Sequence, residues 1–226
     1  MKEDATLTAK QYQMLAVGTA YAEQQSAYLN ALETGMETTH LNTVLSDWWS
    51  IDDPQEAVDT LNKLRDKGDR FYLPAVQDAA KRDEHDPEPF FANLYQNDSP
   101  QDIEKSLRQL NNLYESINTL TEHHIVSGLD HVTRVGVEGW DAGRLVFITR
   151  LCHEAGYINE TQAWDYIQNA HALAADAFDD WEAFSKSYIL GRALWGGEQC
   201  ANDGMIGIVE YLLNDPKSPW ANMALK

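Results

Sequence analysis

From Trp140 to Trp195 the sequence alternates large aromatic residues with glycine, alanine and a few isolated arginines. Between Asp141 and Ala155 the apolar residues would fall on nearly every side of a helix instead of forming one stripe, which is typical of a helix that is buried all round. Small residues beside large ones are typical of helices that pack closely. The stretch therefore predicts a tightly packed helical core.

The rest of the chain also shows helical periodicity. One long helix is predicted from Thr8 to about Glu33, another starts at Asp53-Pro54, and a last one spans about Gly204 to Leu213. The clearest amphipathic helix has apolar residues at spacings of three and four: Ile103, Leu107, Leu110, Tyr114 and Ile117. Because no strand pattern or internal repeat occurs, the sequence predicts an all-α fold of roughly nine helices.

We expect residues 1–226 to form a single compact domain. The acidic, proline-rich stretch at residues 83–89 is the alternative, as a break between two lobes.

The net charge of the chain indicates which classes of partner it can bind. The chain has 17 basic and 36 acidic residues and a net charge of −19. This charge repels phosphate backbones and anionic membranes, so a basic protein is the expected partner, and nucleic acids and membranes are not. The N-terminus lacks an apolar signal region, and Cys152 and Cys200 have no metal-type spacing. We therefore expect a cytoplasmic protein.

Asp141 and Arg144 share one face of a predicted helix because they are three residues apart. They are either an acid and an anion-binding cation at the mouth of a pocket, or a helix cap and an arginine that holds helices together. Arg192 has the same two interpretations, and the structural one is favoured for both arginines. The tentative binding residues are Trp140, Asp141, Arg144, Glu182, Arg192 and Trp195.

Metal and nucleophile patterns are weak. The histidines His123, His124, His131 and His153 do not form a His-Glu-x-x-His motif, and adjacent histidines point to different faces of a helix. Cys152 has no nearby base at a spacing that would indicate an activated nucleophile. We therefore expect no catalytic residue, no metal ion and no cofactor.

A series of short motifs covers the chain from about Leu45 onward. They include Trp48-Trp49-Ser50-Ile51, Lys67-Gly68-Asp69-Arg70, Gly139-Trp140-Asp141-Ala142-Gly143-Arg144, Tyr188-Ile189-Leu190-Gly191-Arg192 and Ser218-Pro219-Trp220. In these motifs the chain resembles a bacterial family catalogued as domain of unknown function 1266. The resemblance implies a bacterial, mostly helical protein and no established reaction. Asp69 departs from the family, which often has histidine there, and Ser50 stands where the family often has glycine.

Acidic residues are concentrated in two stretches that lack lysine and arginine, Asp83 to Glu104 and Glu160 to Glu182. They are either solvated helix faces or a docking surface for a basic protein. The second interpretation predicts a small acidic inhibitor, such as an immunity protein or an adaptor. The alternative is an enzyme or small-ligand binder with a pocket lined by Asp141, Arg144, Arg192 and tryptophans. A third hypothesis is a homo-oligomer that buries exposed tryptophans such as Trp48, Trp49 or Trp220.

Overall fold

The computed structural model describes residues 1–3, 5–82, 86–95, 100–199 and 204–226. In this part of the chain every regular element is a helix, which confirms the all-α prediction. The α-helices are α1 (Ala9–Ala16), α2 (Thr19–Gln24), α3 (Thr38–Asn42), α4 (Pro54–Asp66), α5 (Leu73–Arg82), α6 (Glu88–Leu94), α7 (Pro100–Glu122), α8 (Val132–Val135), α9 (Glu138–Glu154), α10 (Glu160–Ala177), α11 (Trp181–Gly196), α12 (Met205–Asn214) and α13 (Pro219–Asn222). A π-helical segment, Thr43–Trp48, follows α3, and a 3₁₀ turn, Leu129–His131, precedes α8.

The chain groups into two compact units. Unit 1 contains Met1–Gly68, Asp141–Phe184 and Gly207–Lys226, and unit 2 contains Asp69–Trp140 and Ser185–Ile206. Helices α9, α11 and α12 contribute residues to both. The single-domain organisation and the alternative break near residues 83–89 stay predictions, and residues 83–85 lie outside the described part of the chain.

Helix α9 is buried along most of its length in unit 1. Its residues from Asp141 to Cys152 are all buried, as the apolar pattern on every side predicts. A side-chain Cβ at Gly18 would lie 2.5 Å from Val146 Cγ1, so the backbone between α1 and α2 passes close to this helix. Helix α1 packs on α10 and α13, and α10 packs on α4.

The long helix predicted from Thr8 to about Glu33 is wrong. The structure has two short helices, α1 and α2, followed by an irregular segment up to Glu37. Ser26 adopts a left-handed conformation with φ of 55°, which ends the helical path. Downstream of it, backbone carbonyls that would otherwise bond within a helix accept hydrogen bonds from Arg150.

Trp220 is buried, which makes the expectation of an exposed tryptophan at this position wrong. Its ring stacks on Trp181 at a centroid distance of 5.2 Å, and its indole N–H donates to the Ala16 carbonyl at 2.8 Å. The C-terminal segment is thereby fixed to α1. Trp220 belongs to the core of unit 1 and offers no surface to a second copy.

Helix α7 is the longest helix of unit 2 and packs against α5 and α6. Its buried stripe contains polar residues as well as apolar ones, among them Asp102, Ser106 and Gln109. The amphipathic pattern correctly predicts the helix, but not the polar character of part of its buried face. In the same unit, a Cβ at Gly191 would lie 2.2 Å from the Cβ of Trp140, so a small residue is required beside this tryptophan.

Ser50 has a left-handed backbone conformation, with φ of 53°. Glycine adopts this region without steric cost, whereas a residue with a Cβ is strained by about 1–2 kcal/mol. We therefore expect Ser50→Gly to stabilise the protein by about 0.5–1 kcal/mol after the added flexibility of the unfolded chain is subtracted.

Chemical denaturation of Ser50→Gly beside Ser50→Ala measures this effect. The alanine variant removes the hydroxyl and keeps the Cβ, so it is the control for loss of side-chain contacts. Equal stability of the two variants would contradict the backbone explanation.

Candidate functional site

Asp141 and Arg144 form a buried ion pair in unit 1. The Arg144 Nη2 atom lies 2.7 Å from the Asp141 Oδ1 atom, and the side chains are 7% and 0% exposed. The Arg144 guanidinium also lies over the Trp49 ring, 5.9 Å from its centroid. The three-residue spacing on α9 thus places both charges on one face, as predicted, and burial increases the cost of removing either partner.

Trp140, Arg192 and Trp195 belong to unit 2. The Trp140 ring lies 5.2 Å from the Tyr188 ring and 6.2 Å from the Trp195 ring. Arg192 is 7% exposed, whereas Trp195 is 51% exposed. Within unit 2 the structure therefore groups Trp140 with Trp195. Glu182, the remaining predicted residue, lies in unit 1 on the first turn of α11 and is exposed.

A polar cluster around Trp140 is absent from the sequence prediction. The Trp140 indole N–H donates to the Asp69 carboxylate at 3.1 Å, and Lys105 forms an ion pair with the same carboxylate. The Lys105 ammonium lies 4.8 Å from the centre of the Tyr72 ring, and the Tyr72 hydroxyl donates to Asp102. Burial and the Asp102 carboxylate raise the pKa of Tyr72, so this hydroxyl stays protonated.

The contacts of Asp69 explain why a carboxylate suits this position. Asp69 is 2% exposed and accepts a hydrogen bond from an indole while it pairs with an ammonium group. A carboxylate suits these two donors because it is an acceptor only. These residues are spread over 72 positions from Asp69 to Trp140, so no short motif in the sequence predicts that they contact one another.

Arg150 is the most deeply buried cation of unit 1, at 1% exposure, and it is also absent from the predicted set. Its guanidinium donates to three backbone carbonyls, at 2.6 Å to Tyr28, 3.0 Å to Glu33 and 3.2 Å to Leu32. Burial lowers its pKa to about 10, partly offset by the carboxylates of Glu154 and Glu33, so it remains charged at neutral pH. Arg150 therefore fixes the irregular segment that follows α2.

Cys152, two residues after this arginine on α9, is buried. Burial raises the pKa of its thiol to about 12, so the thiol stays protonated at neutral pH and is a poor nucleophile. Cys200 lies outside the described residues. Among the described residues, no group of three or more histidine, cysteine, aspartate or glutamate side chains is arranged to hold a metal ion.

The predicted acidic stretches differ in structure. All six acids from Glu160 to Glu182 are exposed: Glu160, Asp165, Asp176, Asp179, Asp180 and Glu182. In the other stretch Asp102 is buried and bonded to Tyr72, so it is not part of a solvated face. Asp83, Glu84 and Asp98 lie outside the described residues.

A second exposed feature of unit 1 lies at Trp48, the last residue of the π-helical segment. Trp48 is 56% exposed, and its ring contacts only the edge of the His40 ring among the aromatic contacts described, at 6.1 Å. π-Helical segments are rare and occur often at functional sites. The neighbouring Trp49 has a structural role instead, because its indole N–H donates to the Tyr21 hydroxyl at 3.3 Å.

Carboxylates follow and precede Trp48 in the sequence. We call Trp48 together with the exposed residues Asp47, Asp52, Asp53 and Glu56 the tryptophan surface. Asp53 caps α4 by accepting the backbone N–H groups of Gln55 and Glu56, and Glu56 accepts the N–H of Asp52 at 2.8 Å. These bonds fix the carboxylates close to one another at the start of α4. No lysine or arginine occurs in the sequence between Lys10 and Lys63, so this segment supplies no cation to neutralise them.

Unit 1 also has a small pocket of about 160 Å³. Charged residues of both signs line it, including Lys2, Glu33, His153 and Glu160. The Lys2 ammonium lies 3.0 Å from the Glu33 carboxylate. The predicted site residues Asp141 and Arg144 do not line this pocket.

Comparisons with known proteins agree with the sequence motifs. A family model described as "Protein of unknown function (DUF1266)" matches residues 44–225. No curated protein and no solved structure shows significant similarity to the chain. In the described part of the chain, none of the helices combines the length and the apolar character that crossing a membrane requires.

Proposed function

The chain belongs to the DUF1266 family of proteins of unknown function, and we propose that it is a protein-binding module whose partner is a basic protein. The observation that carries this proposal is the tryptophan surface, where a tryptophan that is 56% exposed has exposed carboxylates before and after it in the chain. Tryptophan is enriched among the residues that dominate binding energy at protein interfaces. The surrounding carboxylates complement lysine and arginine and accelerate association with a positively charged surface.

The sharpest form of the proposal is a small acidic inhibitor, an immunity protein or an adaptor that acts in the cytoplasm. The net charge of −19 supports it, because this charge steers a basic protein toward the molecule and repels nucleic acids. An arginine of the partner that stacks on the Trp48 ring would combine the two features of the surface, since guanidinium groups bind aromatic faces.

Photo-crosslinking in the host cell tests the proposal. A photoreactive phenylalanine replaces Trp48, and in a control protein it replaces Tyr211, which is 42% exposed and also lies in unit 1. We expect position 48 to form a covalent adduct with a basic protein and position 211 to form none. Adducts of the same proteins at both positions, or none at position 48, would contradict the proposal.

Two further variants separate the contribution of charge from that of shape. Trp48→Ala is expected to weaken binding of the crosslinked partner by about tenfold or more, because it removes the central anchor. The double variant Asp53→Asn, Glu56→Gln removes two charges while both residues keep a side-chain acceptor for the helix start. We expect this variant to slow association and to flatten its salt dependence.

The alternative function is an enzyme or small-ligand site that uses Asp141, Arg144, Arg192 and the nearby tryptophans. Burial supports a structural role for the arginine of unit 1, since Arg144 is paired with Asp141. Thermal stability of an Arg144 variant, measured together with binding, distinguishes the two roles.

A further inference from the structure

Unit 2 has an exposed apolar groove between α5 and α6. Phe71, Pro74, Phe90, Leu94 and Tyr95 line it, and we call it the aromatic groove. Its volume is about 620 Å³. Phe71 is 44% exposed and Leu94 is 53% exposed, so two large apolar side chains face solvent at one place. Apolar surfaces of this kind, rimmed by polar residues, mark interaction sites.

Stacked aromatic rings support the groove. Tyr95 is buried, and its ring stacks on Phe91 at 6.3 Å and on Phe71 at 6.1 Å. The Tyr95 hydroxyl in turn bonds to Ser106 on α7 at 3.2 Å. These contacts fix the groove before any partner binds, and a preformed groove reduces the entropy lost on binding.

The charged residues near the aromatic groove indicate which charge a partner would carry. Asp78 and Arg82 neutralise each other at 2.9 Å, and Lys81 pairs with Asp130 at 2.8 Å. Asp86 and Glu88 are exposed at the start of α6, the helix that lines one side of the groove. A positively charged residue next to an apolar stripe therefore complements the acidic start of this helix.

We propose that the aromatic groove binds one face of an amphipathic helix from a protein partner, with lysine or arginine beside its apolar stripe. A helix presents apolar residues at spacings of three and four, and such helices bind in apolar grooves between two helices of their targets. A second copy of this chain is disfavoured because each copy carries a net charge of −19. A membrane surface is disfavoured because the apolar residues line a concave groove and anionic lipids are repelled.

Fluorescence anisotropy with synthetic peptides tests the proposal on the full chain. The probe is a labelled peptide of leucine and lysine that folds as an amphipathic helix. Its controls are a scrambled peptide of the same composition and a helical peptide in which glutamate replaces lysine. We expect saturable binding of the first peptide alone. Equal binding of the scrambled peptide would overturn the proposal, because charge would then suffice, and equal binding of the glutamate peptide would overturn the charge preference.

Variants locate the binding to the groove. Leu94→Gln removes an exposed apolar side chain, and Ala75→Arg fills the groove and adds a positive charge, so both are expected to weaken peptide binding by about tenfold or more. Tyr114→Ser is the matched control, because Tyr114 is 41% exposed on α7 and does not line the groove. A wild-type melting temperature in both groove variants shows that the fold is retained, and unchanged binding by both would overturn the proposal.

Two measurements test whether the groove instead binds a second copy of this chain or a membrane. Sedimentation that shows a wild-type dimer converted to a monomer by Leu94→Gln would overturn the proposal in favour of a second copy. Binding of anionic phospholipid vesicles by the wild type, lost in Leu94→Gln, would overturn it in favour of a membrane. Trp48→Ala is expected to leave peptide binding unchanged, so failure of the tryptophan surface and failure of the groove are distinguishable.

Discussion

Arg150→Ala is expected to lower the free energy of unfolding by about 3–5 kcal/mol. The guanidinium donates to the backbone carbonyls of Tyr28, Leu32 and Glu33. Removing it leaves these carbonyls without their donor and opens a cavity in the core of unit 1. Chemical denaturation measures the loss.

Two further arginine variants test whether the loss of stability comes from the buried hydrogen bonds of Arg150. Arg65→Ala removes a surface arginine whose partner Asp66 is 62% exposed, so its effect is expected to stay below about 1 kcal/mol. Arg150→Lys keeps the charge but lacks the planar fork, and we expect an intermediate loss. A loss in Arg150→Ala no larger than that in Arg65→Ala would contradict the structural role.

The Asp141–Arg144 ion pair gives the second large effect. Asp141→Asn and Arg144→Met each leave one buried charge without its partner, and each is expected to cost about 3–5 kcal/mol. The double variant removes both charges, so its cost is expected to fall short of the sum of the single costs by at least about 1 kcal/mol. A complete double-mutant cycle by chemical denaturation measures this coupling, and additive costs would contradict a stabilising pair.

The sequence pattern predicted helices best where the helix is apolar on every side and fully buried. In α9 the apolar residues occur on every side, and its residues from Asp141 to Cys152 are all buried. The start of α4 at Asp53-Pro54 was also predicted, because Asp53 satisfies local backbone N–H groups and needs no tertiary partner. Such local chemistry can be predicted from a few neighbouring residues.

The wrong helix from Thr8 to about Glu33 has a tertiary cause. Its periodicity continues through Gly18 and Ser26, but the carbonyls after α2 bond to an arginine more than 100 positions away. Asp69 was missed for the same reason, because its partners are Lys105 and Trp140. Periodicity within one segment contains no information about donors that arrive from distant segments.

The sequence indicated exposed tryptophans, but it did not show that Trp48 is exposed while Trp49 packs against Tyr21. The motif Trp48-Trp49 places two identical side chains side by side, yet one is 56% exposed and the other donates to Tyr21. The π-helical segment that ends at Trp48 changes the direction of these side chains relative to a regular helix. Sequence spacing alone therefore left open which tryptophan faces solvent.

Trp48→Ala and Arg144→Met separate a binding residue from a structural one. For both variants we would measure the melting temperature and the binding of the partner identified by crosslinking. Trp48→Ala is expected to keep the wild-type melting temperature, because Trp48 is 56% exposed, and to bind the partner about tenfold or more weakly. Arg144→Met is expected to melt at a lower temperature, while its folded fraction binds as the wild type does. Lost binding with an unshifted melt in Arg144→Met, together with wild-type binding in Trp48→Ala, would show that the partner binds at Arg144 and not at Trp48.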